Sequence, residues 1–498
     1  MRLSLLLATV LSTSTFAEVK TAPIFGSGMV LQQQNPIKIW GKGSPSETVS
    51  VTLDGSTQKT TVTKDGKWAV TFAARKASFD PIALQINNQK FDNILIGEVW
   101  ICSGQSNMGF DLSKVKNNKS LKTENAYLRL CLCKSLRNVA KGGYNAQELK
   151  QSNVDSFYKP EWSTSGKKSA FLFSGVGWTF GSTMQQKLNV PVGLIEVAMG
   201  GSAMDSWLPA EVARKHPLTK SLYEGDWLKN DLVPEAHRKR GRDAFKTILK
   251  PGQPYHIGKL NGHRWMCEPD FLFESGIAPL KGLNFKGVLW YQGEAETQSP
   301  TRMENAKTIL PLLISSWREY LEIGDFPFLL VQLPGYNRPT WPEFRETQRQ
   351  TALNVANSEL VVTVDLGDKK NIHPKDKIPV GERAGGLALK KVYDLGKGTF
   401  PQIDEITAKN GEITLKFKNC GKGFKTVKGK ISGFEIADAS GKFSSAEAKI
   451  SAPDTITLKA SVNIPASVRY AWQPYPMPKL VLYNSENLPL GPFIEPVK

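Results

Sequence analysis

Ser106 and His373 have the chemistry of an activated nucleophile and its base, and each follows an apolar run. Ser106 stands in Val99-Trp100-Ile101-Cys102-Ser103-Gly104-Gln105-Ser106-Asn107-Met108. Residues 94–101 read as a buried strand that Ser103 and Gly104 punctuate. A hydroxyl on a turn of small residues at a strand tip is well placed to attack a carbonyl carbon. The stretch departs from the G-x-S-x-G elbow, so that geometry is not implied. Ser106 reads alternatively as the cap of a helix starting near Asn107. A serine nucleophile needs a base, and histidine is scarce, at positions 216, 237, 256, 263 and 373 only. His373 alone follows a well-formed strand, 360–364, in Asp365-Leu366-Gly367-Asp368-Lys369-Lys370-Asn371-Ile372-His373-Pro374.

Acyl transfer also needs donors for a developing oxyanion. Gly200-Gly201-Ser202 follows the apolar run 191–198, and glycines there let a backbone N–H point freely. Trp290-Tyr291-Gln292-Gly293-Glu294 ends another run with an amide donor and a carboxylate. Trp207, Trp290 and Trp341 near these motifs read as sugar-stacking platforms or as core.

The elements that must position these groups follow from periodicity. From Pro23 to about Leu84, short apolar runs are broken by Asp54-Gly55 and Asp65-Gly66, which marks a small all-β module. Beyond it, strand-like runs at 128–132, 191–198, 288–291, 328–332 and 360–364 alternate with helical ones at 177–186 and 306–319. This is the pattern of an α/β domain with a largely parallel sheet, whose ligands sit outside the carboxyl ends of the strands. The span 215–270 is polar, basic and rich in Pro and Gly, and reads as an insertion walling the site. After Phe400 strict alternation returns and a second β module closes the chain. The expected division is a signal peptide 1–17, an N-terminal β module 18–93, the α/β domain 94–397 and a C-terminal β module 398–498.

At 498 residues the chain exceeds the size of a single core. Met1-Arg2, an apolar run and Thr15-Phe16-Ala17 form a secretory signal, so the mature chain is expected outside the cytoplasm, periplasmic or extracellular. No later run is long enough to span a bilayer. Cys102, Cys131, Cys133, Cys267 and Cys420 are odd in number and need no disulfide framework. Cys131 and Cys133 alternate around Leu132 on one strand face, where they could hardly bond to each other. No C-x-x-C or H-E-x-x-H motif supports a metal. The net charge of +18 favours acidic polymers or anionic surfaces, but the basic residues are scattered, which argues against nucleic acid. The densest cluster, His237-Arg238-Lys239-Arg240 with Arg242, reads as a solvated helix face.

Four motifs occur in one order: Gly-Gln-Ser-Asn-Met around Ser106, Gly-Gly-Ser at 200–202, Trp-Tyr-Gln-Gly-Glu at 290–294 and Ile-His-Pro at 372–374. Together they resemble the sialate O-acetylesterase family, a branch of the SGNH esterases similar to some acetylxylan and xyloglucan acetylesterases. Gly28-Met29-Val30-Leu31-Gln32, Trp40-Gly41 and Gly386-Leu387-Ala388 agree. The resemblance implies an SGNH-hydrolase-like α/β fold flanked by β modules, acting on O-acetylated sugars or glycans without cofactor or metal. It implies Ser106 as nucleophile, His373 as general base, and Gln292 with Gly201 (or Gly200) and the Ser106 amide as oxyanion donors. Family members commonly carry an aspartate two residues before the histidine, where Asn371 stands. The acid partner of His373 is then Glu294, Asp368 or Asp365, with Glu294 preferred, or the enzyme runs as a Ser-His dyad. The competing expectation is a carbohydrate-binding surface protein that keeps the esterase fold without catalysis.

Overall fold

The computed structural model describes residues 19–136, 143–409, 411–426, 431–459, 462, 464–476 and 482–497. The expected signal peptide lies outside these. The chain is a mixed α/β protein with several sheets, built around one long strand, β1 (Gln89–Gly104). Its first half pairs antiparallel with Ser78–Ile86 and parallel with Val30–Gln32. Its second half, buried throughout from Ile94, enters the central sheet. A strand buried on both faces reads as a continuous apolar run, as 94–102 does.

Further strands of the central sheet are β2 (Asn125–Lys134), β3 (Lys159–Ser165), β4 (Val192–Ala198), β5 (Gly287–Tyr291), β6 (Phe328–Val331) and β7 (Ser358–Val361). They lie in the order β3-β2-β4-β1-β5-β6-β7. All neighbours run parallel except the edge strand β3, which pairs antiparallel with β2. The chain therefore lays β2 and β3 on one side of β1, returns to slot β4 between β1 and β2, and then crosses to the other side. That reversal opens a crevice at the carboxyl end of β1, where open α/β sheets bind ligands.

Five helices matter here: α1 (Gly175–Leu188), α2 (Glu235–Phe245), α3 (Pro300–Leu321), α4 (Trp341–Asn354) and α5 (Ile378–Tyr393). Ser174 caps α1 by accepting the Gly177 N–H, and Ser299 caps α3 by accepting that of Arg302. One hydrophobic core runs from Val19 to Phe400 and joins the N-terminal strands to the central sheet. A second, separate core lies between Ile413 and Phe493 among antiparallel strands. Buried Arg345 of α4 ties the two by donating to the carbonyl of Gln473. Among the described residues no helix is long and apolar enough to cross a membrane.

All five cysteines are buried and free, Cys131 and Cys133 included. Trp207, Trp290 and Trp341 are buried core, not exposed platforms, and Trp207 meets Trp290 edge to face at 5.6 Å. The basic cluster also needs correction. Its first member, His237, is buried, because α2 docks that side onto the body of the protein.

Candidate active site

Three strand ends are level at the crevice: Gly104 of β1 is in register with Ala198 of β4 and Tyr291 of β5. Only glycine fits at 104. Its φ is +136°, and a Cβ would fall 2.2 Å from the Tyr291 carbonyl oxygen. The turn after β1 is bonded to both neighbouring turns. Gln105 N–H donates to Tyr291 O at 3.0 Å and Met199 N–H to Gly104 O at 3.0 Å. The Gln105 side-chain oxygen accepts the N–H groups of Gly293 and Ala295 at 3.3 and 3.4 Å.

On this fixed turn, half-buried Ser106 Oγ lies 2.8 Å from Nε2 of half-buried His373. The two residues are 267 positions apart and meet because the loop after β7 folds back over β1. Burial holds the His373 pKa below its ordinary value, and the Lys377 charge adds to the depression. A neutral imidazole at this separation can take a hydroxyl proton. The His373 ring stacks on Phe110, centroids 6.5 Å apart and planes 25° from parallel.

A hydroxyl of this kind needs oxyanion donors nearby. Gly200 sits against it, since a Cβ there would lie 3.4 Å from the Ser106 Cβ. Among the described residues, the N–H groups of Ser106, Gly200 and Gly201 donate to nothing. Gln292 is different from expectation. Its amide nitrogen donates to the Ser202 carbonyl at 3.2 Å and to Glu296 at 3.1 Å, so both hydrogens are engaged. It braces the Gly200–Ser202 turn and points no free donor at Ser106.

Glu294 does not hold His373 either. Its buried carboxylate accepts the side-chain amide of Asn107, which stands between it and the imidazole loop. Burial raises the Glu294 pKa, against the bond from Asn107. Asn107 Nδ2 also donates to the Ile372 carbonyl at 3.0 Å, and its Oδ1 accepts from the buried Lys377 ammonium. Burial brings the Lys377 pKa down to about 7, with Glu294 and Asp376 opposing. Lys377 Nζ also lies 5.2 Å from the Tyr291 ring centre and 5.4 Å from that of Phe110. Asn107 thus clips the serine turn to the histidine loop.

The other acid candidates are occupied as well. Asp365 makes a two-pronged pair with Arg383, 2.6 Å at each oxygen, and accepts the Tyr483 hydroxyl at 3.0 Å. Asp368 accepts the N–H groups of Lys370 and Asn371 at 2.8 and 3.0 Å. Asn371 accepts the backbone N–H of His373 at 3.0 Å and so fixes its backbone, not its ring. Among the described residues no carboxylate is hydrogen-bonded to His373.

Sequence reasoning missed Asn107, Lys377 and His237. Asn107 adjoins Ser106, which was a signal available in the motif. Lys377 looks no different from Lys375 in sequence, and only burial sets it apart. The His237 ring lies against the backbone of Gly201, and burial brings its pKa to about 3, so it is neutral. Cys267 Sγ reaches the Gly201 carbonyl at 3.9 Å. The expected insertion therefore buttresses the glycine turn from outside.

The chain is similar to known esterases. The chain is 28% identical to the mouse sialate O-acetylesterase, covering 94% of this chain and 92% of that one. The human sialate O-acetylesterase is 27% identical over 95% and 92%. A carbohydrate acetylesterase from Xanthomonas citri superimposes with a TM-score of 0.77 at 24% identity, over 96% of this chain and 99% of its own, which shows a shared fold. A family model covers residues 96–230 and 263–384, just over half of the chain, and includes Ser106, Gly201, Glu294 and His373. The chain belongs to the carbohydrate esterase, sialic acid-specific acetylesterase family and is a carboxylic ester hydrolase.

Proposed function

We propose that this chain is an exported carbohydrate O-acetylesterase of SGNH type that works through Ser106 and His373. The observation that carries the reading is the 2.8 Å contact between Ser106 Oγ and His373 Nε2 at the crevice of the sheet. His373 takes the hydroxyl proton as Oγ attacks the acetyl carbonyl carbon. The tetrahedral oxyanion is held by the unspent N–H groups of Ser106 and Gly200 or Gly201. Collapse expels the sugar oxygen, which takes the proton back from His373. Water, activated by the same imidazole, then releases acetate from the acetyl-enzyme. The pair acts as a dyad, since its candidate acids are bonded elsewhere. The apolar run after Met1-Arg2 supports export. The proposed division is a signal at 1–17, β modules at 18–93 and 398–498 and the esterase domain at 94–397, and the separate C-terminal core supports the last of these boundaries.

Acetate release tests the reading, with O-acetylated sialic acid, acetylated xylan, acetylated xyloglucan and a chromogenic acetate as substrates. Wild type is expected to turn over at least one glycan and to react with a fluorophosphonate, and Ser106→Ala to do neither while remaining folded. A folded wild type that releases no acetate and takes no label returns the chain to a carbohydrate-binding role.

A further inference from the structure

Helix α2 carries four basic side chains in five positions, and three are neutralised locally. Arg238 pairs with Asp231 at 3.0 Å and Glu235 at 3.1 Å, and Lys239 pairs with Asp243 at 2.8 Å. Arg242 pairs with Glu235 and donates to the Leu228 carbonyl at 3.0 Å. Arg240 is exposed and, among the described residues, makes neither an ion pair nor a hydrogen bond. The nearest buried acids do not serve it. Asp205 and Glu296 are both taken by Arg302, at 3.5 and 2.9 Å.

Its position is fixed all the same. His237, three residues earlier on the same helix face, is buried against the Gly201 backbone and seats α2 there. A Cβ on Gly201 would lie 3.4 Å from Arg240 Nη1, just as one on Gly200 would lie 3.4 Å from the Ser106 Cβ. Adjacent Cα atoms are about 3.8 Å apart. The guanidinium and the Ser106 hydroxyl thus flank one short turn, within the length of a sugar residue and its acetyl group. A guanidinium offers five donors in a planar fork that matches a carboxylate, and here all are unspent. The segment 231–262, with α2 in it, falls in the gap of the family match.

We propose that Arg240 anchors the carboxylate of an acidic O-acetylated sugar while its acetyl group reaches Ser106. This rests on the esterase reading above. The test compares kcat/KM on O-acetylated sialic acid with that on its methyl ester, which differs only in charge. The full chain, Arg240→Ala and Arg240→Lys are assayed, and an O-acetylated uronic acid is run alongside with its own methyl ester. In Arg240→Ala the acid-to-ester ratio should fall roughly 10- to 100-fold, the range of a hydrogen bond to a charged group, mainly through KM. Arg240→Lys should recover part of the ratio, and added salt should lower it in wild type. A fall seen only with the uronic acid supports the anchor equally and names the other sugar. An unchanged ratio overturns the proposal, even where both rates drop, because a merely structural arginine affects acid and ester alike. If wild type cleaves neither these sugars nor a chromogenic acetate, the esterase reading itself fails.

Discussion

Asn107→Ala should be more damaging than its size suggests, because one amide joins four parts of the site. Its side chain donates to the charged Glu294 and the neutral Ile372 carbonyl and accepts from the charged Lys377. Bonds to charged groups contribute about 1.5–3 kcal/mol each and a neutral one about 0.5–1.5 kcal/mol, so the low end alone is about 3.5 kcal/mol. Breaking a buried charged arrangement costs about 3–5 kcal/mol, which agrees. Such a loss lowers the unfolding temperature by about 7 °C at the shallow slope of large domains. Near-ultraviolet circular dichroism reads it, since Trp100, Trp207, Trp290 and Trp317 all belong to the larger core. The histidine loop also loses its clip to the serine turn, so kcat should drop about 100-fold, within the range of general-base catalysis. KM should change little. Asn107→Asp should fail too, as it keeps an oxygen for Lys377 but loses both donors and sets a second carboxylate against Glu294. A shift under about 2 °C with kcat intact would refute the clamp, because even one lost charged bond exceeds it.

Two further outcomes follow from the same site. His373 must be neutral to act as base, and burial together with the Lys377 charge holds its pKa below 6.5. The acid limb of kcat/KM should therefore lie below 6.5, with activity lost as pH falls through it. In Lys377→Met the limb should move upward, and a pH profile with an unmoved limb counts against the electrostatic link. Gly293→Ala should abolish soluble, active protein. The φ of Gly293 is +149° and a Cβ would lie 2.0 Å from the Phe344 ring, so Gln292 and Glu294 could not keep their places. Near-normal expression and acetate release from this variant would contradict that packing.

The strands were legible because sheets buried on both faces need unbroken apolar runs, and 94–101, 191–198, 288–291 and 328–332 all became strands of the central sheet. The serine turn was legible for a related reason, since a polar side chain straight after such a run has a strand tip to stand on, whereas His373 lies on a loop twelve residues beyond β7. Side-chain partners were not legible. Whether Gln292 faces Ser106 or the Ser202 carbonyl depends on rotamers and on Glu296, four residues away and buried beside it. The burial of His237 depends on where α2 docks, a long-range event that its basic neighbours conceal. Lys377 is hidden likewise behind Lys375 and Asp376 in sequence and emerges only as a fully buried ammonium.

The same contrast bears on how the proposed dyad would do without an acid. A carboxylate on the second ring nitrogen would orient the imidazole and raise its pKa by stabilising the imidazolium. Orientation is supplied here by other means: the Phe110 stack on the ring, the Asn371 cap on the His373 N–H, and the Asn107 bond to Ile372. The electrostatic half is reversed, since Lys377 opposes the imidazolium. In the proposed reaction this makes His373 a weaker base but a stronger acid. Ser106 attack is then favoured less by proton transfer and more by the fixed N–H groups of the glycine turn. Departure of the sugar oxygen, a poor leaving group until protonated, is favoured more. Lys377→Met should accordingly slow turnover of sugar acetates while sparing a chromogenic acetate, whose leaving group needs no proton. Equal effects on both substrates would place the influence of Lys377 on the attack step instead.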